Sequence, residues 1–203
     1  LGRWKCLYLT EDYLPYNYYA IDALPAKKHV QNVIFIPTRT GNLDNTLIKN
    51  AVNTYGAVYT SMYWDGAKYN STNSAYYNKN SKVGGHSVVI VGWDNNFNKN
   101  KFNTPPPGNG AFIVRNSWGD SWGESGYFYA SYYDNFFGRR SYNAVFTAEP
   151  KTNYTRIYQY DKLGWVNSFG YSTDTAWFAN IFTSTSNLPL SAVSFYTAST
   201  QNS

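Results

Sequence analysis

Hydrophobic positions repeat along the chain with two different periods. Apolar residues recur at helical spacing over residues 43–55, which predicts an amphipathic helix there. Asn42 or Asp44 is a candidate N-cap of this helix, because short polar side chains accept hydrogen bonds from the first backbone N–H groups. Gly56 stands where a left-handed glycine commonly ends a helix.

The remaining apolar positions fall in short runs, which predict β-strands. One run, HSVVIVGW, is continuous and therefore predicts a strand buried on both faces. Polar loops are predicted over residues 65–85 and 95–110. One helix followed by closely spaced strands indicates an α+β, β-rich fold. The predicted strands are Val30–Ile36, Ala57–Tyr63, His86–Trp93, Ala111–Val114, Tyr127–Tyr133 and Asn143–Ala148.

The pattern changes at Glu149-Pro150, where the polar stretch KTNYT begins. We therefore expect a first domain over residues 1–148 and the start of a second over residues 149–203. Three strand-like runs follow this boundary: IYQYDKLGW, TAWFANIF and LSAVSFY. So short a stretch is small for an independent core, and we expect the second domain to be incomplete.

Charge and composition narrow the class of protein. The net charge is +5, but only 14% of residues are charged and the basic residues are scattered. Nucleic-acid binding needs a clustered basic surface, so we do not expect it. No apolar run approaches the roughly 18 residues of a membrane span. A surface rich in Asn, Ser, Thr and Tyr is typical of an exported or cell-surface protein, and a start at Leu1 indicates a piece of a longer one.

The chain has one cysteine, Cys6, which excludes an internal disulfide and a cysteine-based metal cluster. Asp94, Asp120 and Asp134 do not have the spacing of metal ligands, and we expect neither a metal nor a cofactor. His29 lies in no catalytic context, so a structural or surface role is expected.

Two polar side chains flank predicted strands: His86 precedes SVVIVGW and Asn116 follows AFIV. If the strands are neighbours, the two side chains meet at the sheet edge. An amide oxygen can then accept from one ring N–H and leave the other nitrogen facing a nucleophile. The indole of Trp118 can cover this contact and exclude water. Gly119 and Gly123 let the backbone turn tightly around the rings.

The segments GGHSVVIVGW and GAFIVRNSWGDSWGESGYF resemble the His and Asn motifs of papain-family cysteine peptidases. The upstream segments LTEDYLPY and YGAVYTSMY are similar to others of that family. The resemblance implies that residues 1–148 form the His-bearing half of the fold, a papain-like β-barrel half-domain with one main helix.

The resemblance also implies roles for individual residues. His86 is the general base and acid, and Asn116 orients it. Trp118 shields that contact and lines the leaving-group side of the cleft, whereas Trp122 and Gly119 support the turn. Many relatives carry Asp or Asn where this chain has Gly85, so the resemblance leaves the tuning of the ion pair open.

The nucleophile is expected outside the chain. In this family the cysteine precedes the histidine and asparagine by about 130–150 residues. Cys6 lies 80 residues before His86, and its setting, WKCLYLT, lacks the family's following Trp. Cys6 is therefore expected to be a small, partly buried apolar side chain. The true cysteine and the oxyanion-hole glutamine are expected before Leu1, so this chain alone should not hydrolyse peptides.

The tail, with YQYDKLGW and TAWFANIF, is similar to a lectin-like β-domain joined to papain-like units in some prokaryotic surface proteins. The insertion FNTPPPGNGAFIV resembles the same subgroup. This implies a partial β-sandwich and a cell-wall carbohydrate as partner. Trp165 and Trp177 could stack on sugar rings, but large aromatic residues usually bury, and we expect them in the core.

We therefore predict a fragment of a secreted or surface cysteine endopeptidase that acts on proteins or peptides. The alternative is a non-catalytic adhesin or carbohydrate-binding module that retains the peptidase fold. The upstream sequence separates the two. A Gln followed by Cys-Trp favours the enzyme, whereas Ser, Gly or Ala in place of the cysteine favours the adhesin.

Overall fold

The structure is a computed structural model, in which the chain divides into two compact units. Unit 2 comprises residues 32–147, and unit 1 comprises residues 1–31 and 148–203. Within these units the structure describes residues 6–7, 28–80, 85–139, 143–150, 152–154, 156, 158, 160, 175, 177, 179–185 and 187–193.

The described residues form mainly β-structure, which confirms the α+β, β-rich class. In unit 2 the strand order is β2-β9-β3-β6-β7-β8-β5-β4. Neighbours β3, β6, β7 and β8 pair antiparallel, whereas β5 pairs parallel with β8. In unit 1, β1 pairs with the first residues of β2. The elements are β1 Cys6–Leu7, β2 Lys28–Ile36, α1 Thr46–Tyr55, β3 Val58–Met62, β4 Tyr69–Asn70, β5 Ala75–Tyr76, β6 His86–Asp94, β7 Ala111–Arg115, β8 Tyr127–Ser131 and β9 Asn143–Pro150.

The six strands predicted within residues 1–148 are confirmed to within two residues at each end, whereas the described residues of the three strand-like runs after residue 149 lie in no strand. The loop predicted over residues 65–85 is wrong in part, because it contains β4 and β5. Ala75 and Tyr76 of β5 are fully buried against β8, although Asn, Ser and Thr surround them in sequence. Ser74 adopts the left-handed conformation, with φ of 48°, as the chain enters β5.

The start of α1 differs from the prediction. The N-cap is Asn45, whose side chain makes no capping hydrogen bond. The predicted caps are engaged elsewhere. Asp44 accepts hydrogen bonds from the backbone N–H and the hydroxyl of Thr40. Asn42 Oδ1 accepts from the Arg139 guanidinium at 2.6 Å. These contacts direct both side chains to partners other than the first N–H groups of the helix.

The end of α1 is as predicted. Gly56 has φ of 85°, and its N–H donates to the carbonyl of Val52 at 2.7 Å. The helix buries Ile48, Ala51 and Val52 against the sheet, whereas Leu47 stays half-exposed. The apolar face of the helix is thus narrower than its sequence suggests.

The same packing explains the burial of β6. Val88 and Ile90 are buried on the side that α1 covers. Val89 and Val91 are only partly buried, so the predicted burial on both faces is wrong. A continuous apolar run therefore marks a strand here, but only one of its faces lies in the core.

A buried carboxylate ties two loops of unit 2 together. Asp134 is 1% exposed, and its Oδ1 accepts from the N–H groups of Phe136 and Phe137, each at 2.9 Å. Its Oδ2 accepts from the N–H of Asn78 at 2.9 Å. Burial raises the pKa of Asp134 to about 6, although the three hydrogen bonds act in the opposite direction.

The tail of unit 1 is exposed wherever it is described. Every described residue from Arg156 onward is exposed, and none of them lies in a strand. Tyr160 stacks on Phe182 with ring centroids 4.8 Å apart. The expectation that Trp177 lies in a core is wrong, since it is 85% exposed and no described layer covers it. Trp165 lies outside the described residues.

Three further expectations concern the side chains of Cys6 and His29, the domain boundary and a membrane span. The side chains of Cys6 and His29 lie outside the description, although their backbones pair in the β1–β2 ladder. Strand β9 continues to Pro150, and the boundary at residue 148 stays a prediction. Among the described residues, no helix has the length and apolar character needed to cross a bilayer.

We predict that Asp134 makes stability depend on pH. Its folded-state pKa of about 6 lies above the ordinary value of 3.8, so the native state holds this proton more tightly than the unfolded state. The free energy of unfolding should therefore fall as pH rises from about 4 to about 6, by up to roughly 3 kcal/mol from this group. Urea titrations across that range should show a weaker fall for Asp134→Asn.

The matched control is Asp120→Asn, whose carboxylate is 80% exposed. Its pH curve should run parallel to that of the wild type, because exposed ion pairs contribute little. Parallel curves for the wild type and Asp134→Asn would contradict the prediction.

Candidate active site

The register of two strands brings His86 and Asn116 together. Strands β6 and β7 are antiparallel neighbours, and Val89 lies opposite Arg115. Continuing this register by one residue places Asn116 opposite Val88, which is two positions from His86 and on the same face of β6. His86 Nε2 is 2.9 Å from Asn116 Oδ1. The geometry meets the condition on which the sequence-based hypothesis depended.

The amide fixes which ring nitrogen carries the proton. Asn116 Oδ1 also accepts the N–H of Ser117 at 2.8 Å, so this atom is an acceptor on two sides. An amide oxygen cannot donate, and His86 Nε2 must therefore be the protonated nitrogen of the neutral ring. The remaining nitrogen, Nδ1, is left to act as an acceptor.

Asn116 itself is held from several directions. It is 5% exposed, and its backbone N–H donates to the carbonyl of Gly126 at 2.9 Å. Its Nδ2 is buried and has no hydrogen-bond partner among the residues that the structure describes. The two donors on Oδ1 thus set the orientation of the amide.

Trp118 covers the imidazole. Its ring stacks on that of His86 with centroids 4.8 Å apart and an angle of 25° between the planes. The indole is 41% exposed. One part of Trp118 therefore borders the His86–Asn116 contact, while another part faces solvent.

Further rings surround this stack, and one of them was missed in the sequence. Trp64 lies two residues after Met62, which is the partner of His86 in the β3–β6 ladder. Its ring centroid is 4.7 Å from that of Trp118 and 5.7 Å from that of Trp122, both edge to face. The signal that could have found Trp64 is this register, which requires knowing that β3 and β6 are neighbours.

Comparison with known proteins identifies the family. The family model of papain family cysteine proteases matches residues 9–145. The chain belongs to the papain family. A family model of a lectin-like domain matches residues 157–203. No curated protein matches the chain.

Two solved structures are similar to this papain-family chain. One is the clostridial cysteine protease Cwp84 after propeptide cleavage, with 29% identity and a TM-score of 0.58, covering 70% of this chain and 37% of that one. The other comprises the cysteine protease and lectin-like domains of Cwp84, a surface layer associated protein of Clostridium difficile. It has 29% identity and a TM-score of 0.59, covering 70% of this chain and 33% of that one. The chain spans about a third of the length of each, and the papain-like fold is confirmed.

The turn after Asn116 in this papain-family domain depends on left-handed backbone. Gly119 and Gly123 have φ of 87° and 62°. Trp122 between them stacks on Tyr69 with centroids 4.9 Å apart. This contact is consistent with the supporting role predicted for Trp122, and that role stays a prediction.

An ion pair that sequence reasoning missed closes the same turn. Arg115 Nη2 lies 2.6 Å from Asp120 Oδ1, and Nη1 donates to the carbonyl of Ser125 at 2.7 Å. The guanidinium also lies over the ring of Tyr127, 4.7 Å from its centroid. Gly126 lies beside this guanidinium with φ of 85°, a left-handed backbone conformation that favours glycine.

We predict that two glycines of this turn differ in their tolerance of alanine. Gly119→Ala should cost about 1 kcal/mol of unfolding free energy, because its Cβ would meet no atom within 4 Å and only the left-handed backbone opposes it. Gly123→Ala should cost roughly 1–3 kcal/mol more, because its Cβ would lie 2.4 Å from the carbonyl oxygen of Tyr127. Denaturant titration measures both.

Gly66→Ala is the control, since its Cβ would meet no atom within 4 Å and its φ is not positive. That variant should stay within about 0.5 kcal/mol of the wild type. Equal losses for Gly119→Ala and Gly123→Ala would show that the contact with Tyr127 has no effect.

Proposed function

We propose that this chain supplies the histidine and asparagine of a cysteine endopeptidase site, whose nucleophilic cysteine precedes Leu1 in the parent protein. The observation that carries the proposal is the 2.9 Å contact between His86 Nε2 and Asn116 Oδ1. It leaves Nδ1 as the nitrogen that exchanges protons with a thiol. The papain-family match over residues 9–145 supports the reaction class.

In the proposed reaction, the Nδ1–H of the His86 imidazolium pairs with the cysteine thiolate. The sulfur attacks the substrate carbonyl, and the C–N bond breaks as Nδ1 passes its proton to the leaving amine. Water then attacks the thioester while Nδ1 takes up its proton. The C–S bond breaks, the acid product leaves, and the thiolate and imidazolium are restored.

Asn116 and Trp118 act on His86 in this proposal. The hydrogen bond to Asn116 Oδ1 holds the ring plane while Nδ1 gains and loses a proton. A neutral amide does this without the added charge of a carboxylate. Trp118 stacks on the imidazole and keeps water from the hydrogen bond, which strengthens it.

Domain organisation and location form part of the same proposal. We infer a peptidase domain over residues 1–148 and a lectin-like domain that begins at residue 149. The lectin-like match over residues 157–203 supports cell-wall carbohydrate as a partner, in addition to protein or peptide substrates. The similarity to Cwp84, which is surface layer associated, supports an extracellular or cell-surface location.

The test is made on the parent protein. An epoxide inhibitor that alkylates thiols should label it, and His86→Ala should abolish labelling and lower peptide turnover by roughly 10²- to 10⁴-fold. Asn116→Ala should lower kcat by roughly 10- to 100-fold, because the ring loses its orientation. Residues 1–203 alone should show neither labelling nor turnover.

His29→Ala is the control, because it removes the chain's other histidine, and it should leave labelling and turnover unchanged. Full turnover in His86→Ala would refute the assigned role. A folded parent that binds cell-wall carbohydrate but has Ser, Gly or Ala at the nucleophile position would favour the non-catalytic adhesin.

A further inference from the structure

Three indole rings lie together beside His86. We call Trp64, Trp118 and Trp122 the indole cluster. Trp118 contacts the other two edge to face, with centroid distances of 4.7 Å to Trp64 and 4.9 Å to Trp122. The ring centroids of Trp64 and Trp122 are 5.7 Å apart. Such geometry is the favourable arrangement for aromatic pairs.

Trp64 is the member of the indole cluster that is anchored in the core. It stacks on Tyr76 with centroids 5.1 Å apart and an angle of 17°. Tyr76 is fully buried in β5, and its hydroxyl donates to the carbonyl of Tyr63 at 2.6 Å. Trp64 also meets the buried ring of Phe128 edge to face at 6.2 Å. Its position is therefore set by groups that cannot move without disturbing the core.

Trp118, in contrast, is held mainly by other rings. It is 41% exposed and precedes Gly119, whose backbone is left-handed. Its described ring contacts are the face of His86 and the edge-to-face contacts with Trp64 and Trp122. An exposed side chain with few packing partners readily changes rotamer unless neighbours block it. Trp64 and Trp122 thus form the two walls of a slot for Trp118.

We propose that Trp64 is a positioning residue of the active site, which holds Trp118 over the His86–Asn116 hydrogen bond. Trp64 acts through Trp118, since its own ring centroid is 6.1 Å from that of His86 and the rings are steeply inclined. The inference rests on the proposed function for its effect on turnover. Its effect on the imidazole is independent of the nucleophile.

The first arm of the test uses residues 1–203 and NMR of the imidazole. The wild type should show a protected His86 Nε2–H resonance, because the proton is hydrogen-bonded under an indole. Trp64→Ala should speed its exchange with water by roughly 10-fold or more, because the site opens more often once Trp118 is free to move, and Trp64→Phe should restore protection. A flat ring in Trp64→Phe can still stack on Tyr76 and meet the edge of Trp118.

Trp93→Ala is the matched control, because Trp93 is a partly buried indole of the same strand as His86, packs on the same core and lies outside the indole cluster. It should lower stability without speeding the His86 exchange. If Trp64→Ala does not fold, Trp64→Leu removes the ring and keeps an apolar side chain. Three results would overturn the inference. The first is a wild-type His86 Nε2–H that is not protected, and the second is a wild-type exchange rate in a folded Trp64→Ala or Trp64→Leu variant. The third is a loss of protection in Trp93→Ala equal to that in Trp64→Ala.

The second arm measures turnover in the parent protein. Trp64→Ala should lower kcat by roughly 10- to 100-fold while KM stays within about 2-fold, and Trp64→Phe should recover most of kcat. An unchanged kcat in Trp64→Ala overturns the positioning role. A wild-type parent without thiol-dependent turnover contradicts the proposed function instead, and the exchange arm then decides the inference alone.

Discussion

The hydrogen bond between His86 Nε2 and Asn116 Oδ1 is the contact on which the proposed chemistry of this domain depends. It requires β6 and β7 to be antiparallel neighbours in one register, because a shift of one residue would send one side chain to the other face of the sheet. The buried rows of β6 and β7 enforce that register, since Val88 and Ile90 fit only on the side covered by α1. The packing of Val88 and Ile90 in the core thus helps to set the distance between His86 and Asn116.

The surroundings of this hydrogen bond combine aromatic rings with a turn that contains several left-handed glycines. Trp118 stacks on the imidazole, and the glycines allow the chain between β7 and β8 to fold back closely enough to place it there. The Arg115–Asp120 ion pair and the carbonyl of Ser125 close the turn at its base. The position of the partly exposed Trp118 indole thus depends both on its ring contacts and on the left-handed backbone that follows it.

Much of the fold could be predicted from apolar runs, and the candidate site could be predicted from the sequence motifs around His86 and Asn116. Strand positions, the helix with its terminal Gly56, and the contact of His86 with Asn116 all follow from local pattern. The short strands β4 and β5 could not be predicted, because β5 is fixed by pairing with β8 and β4 by pairing with β5, rather than by their own composition. The place of Trp64 in the indole cluster could not be predicted for the same reason, because it depends on which strands are neighbours.

The parallel pairing of β5 with β8 has a consequence for how the domain folds. It joins Ala75 to Tyr129, which are far apart in sequence because β6 and β7 lie between them in the chain, so closing this pair costs more chain entropy. The antiparallel β6–β7 pair spans a shorter loop and can form earlier. We therefore expect the contact between His86 and Asn116 to form early in refolding, while the imidazole is still exposed to solvent. The pairing of β5 with β8, which brings Tyr76 to Trp64, should form last.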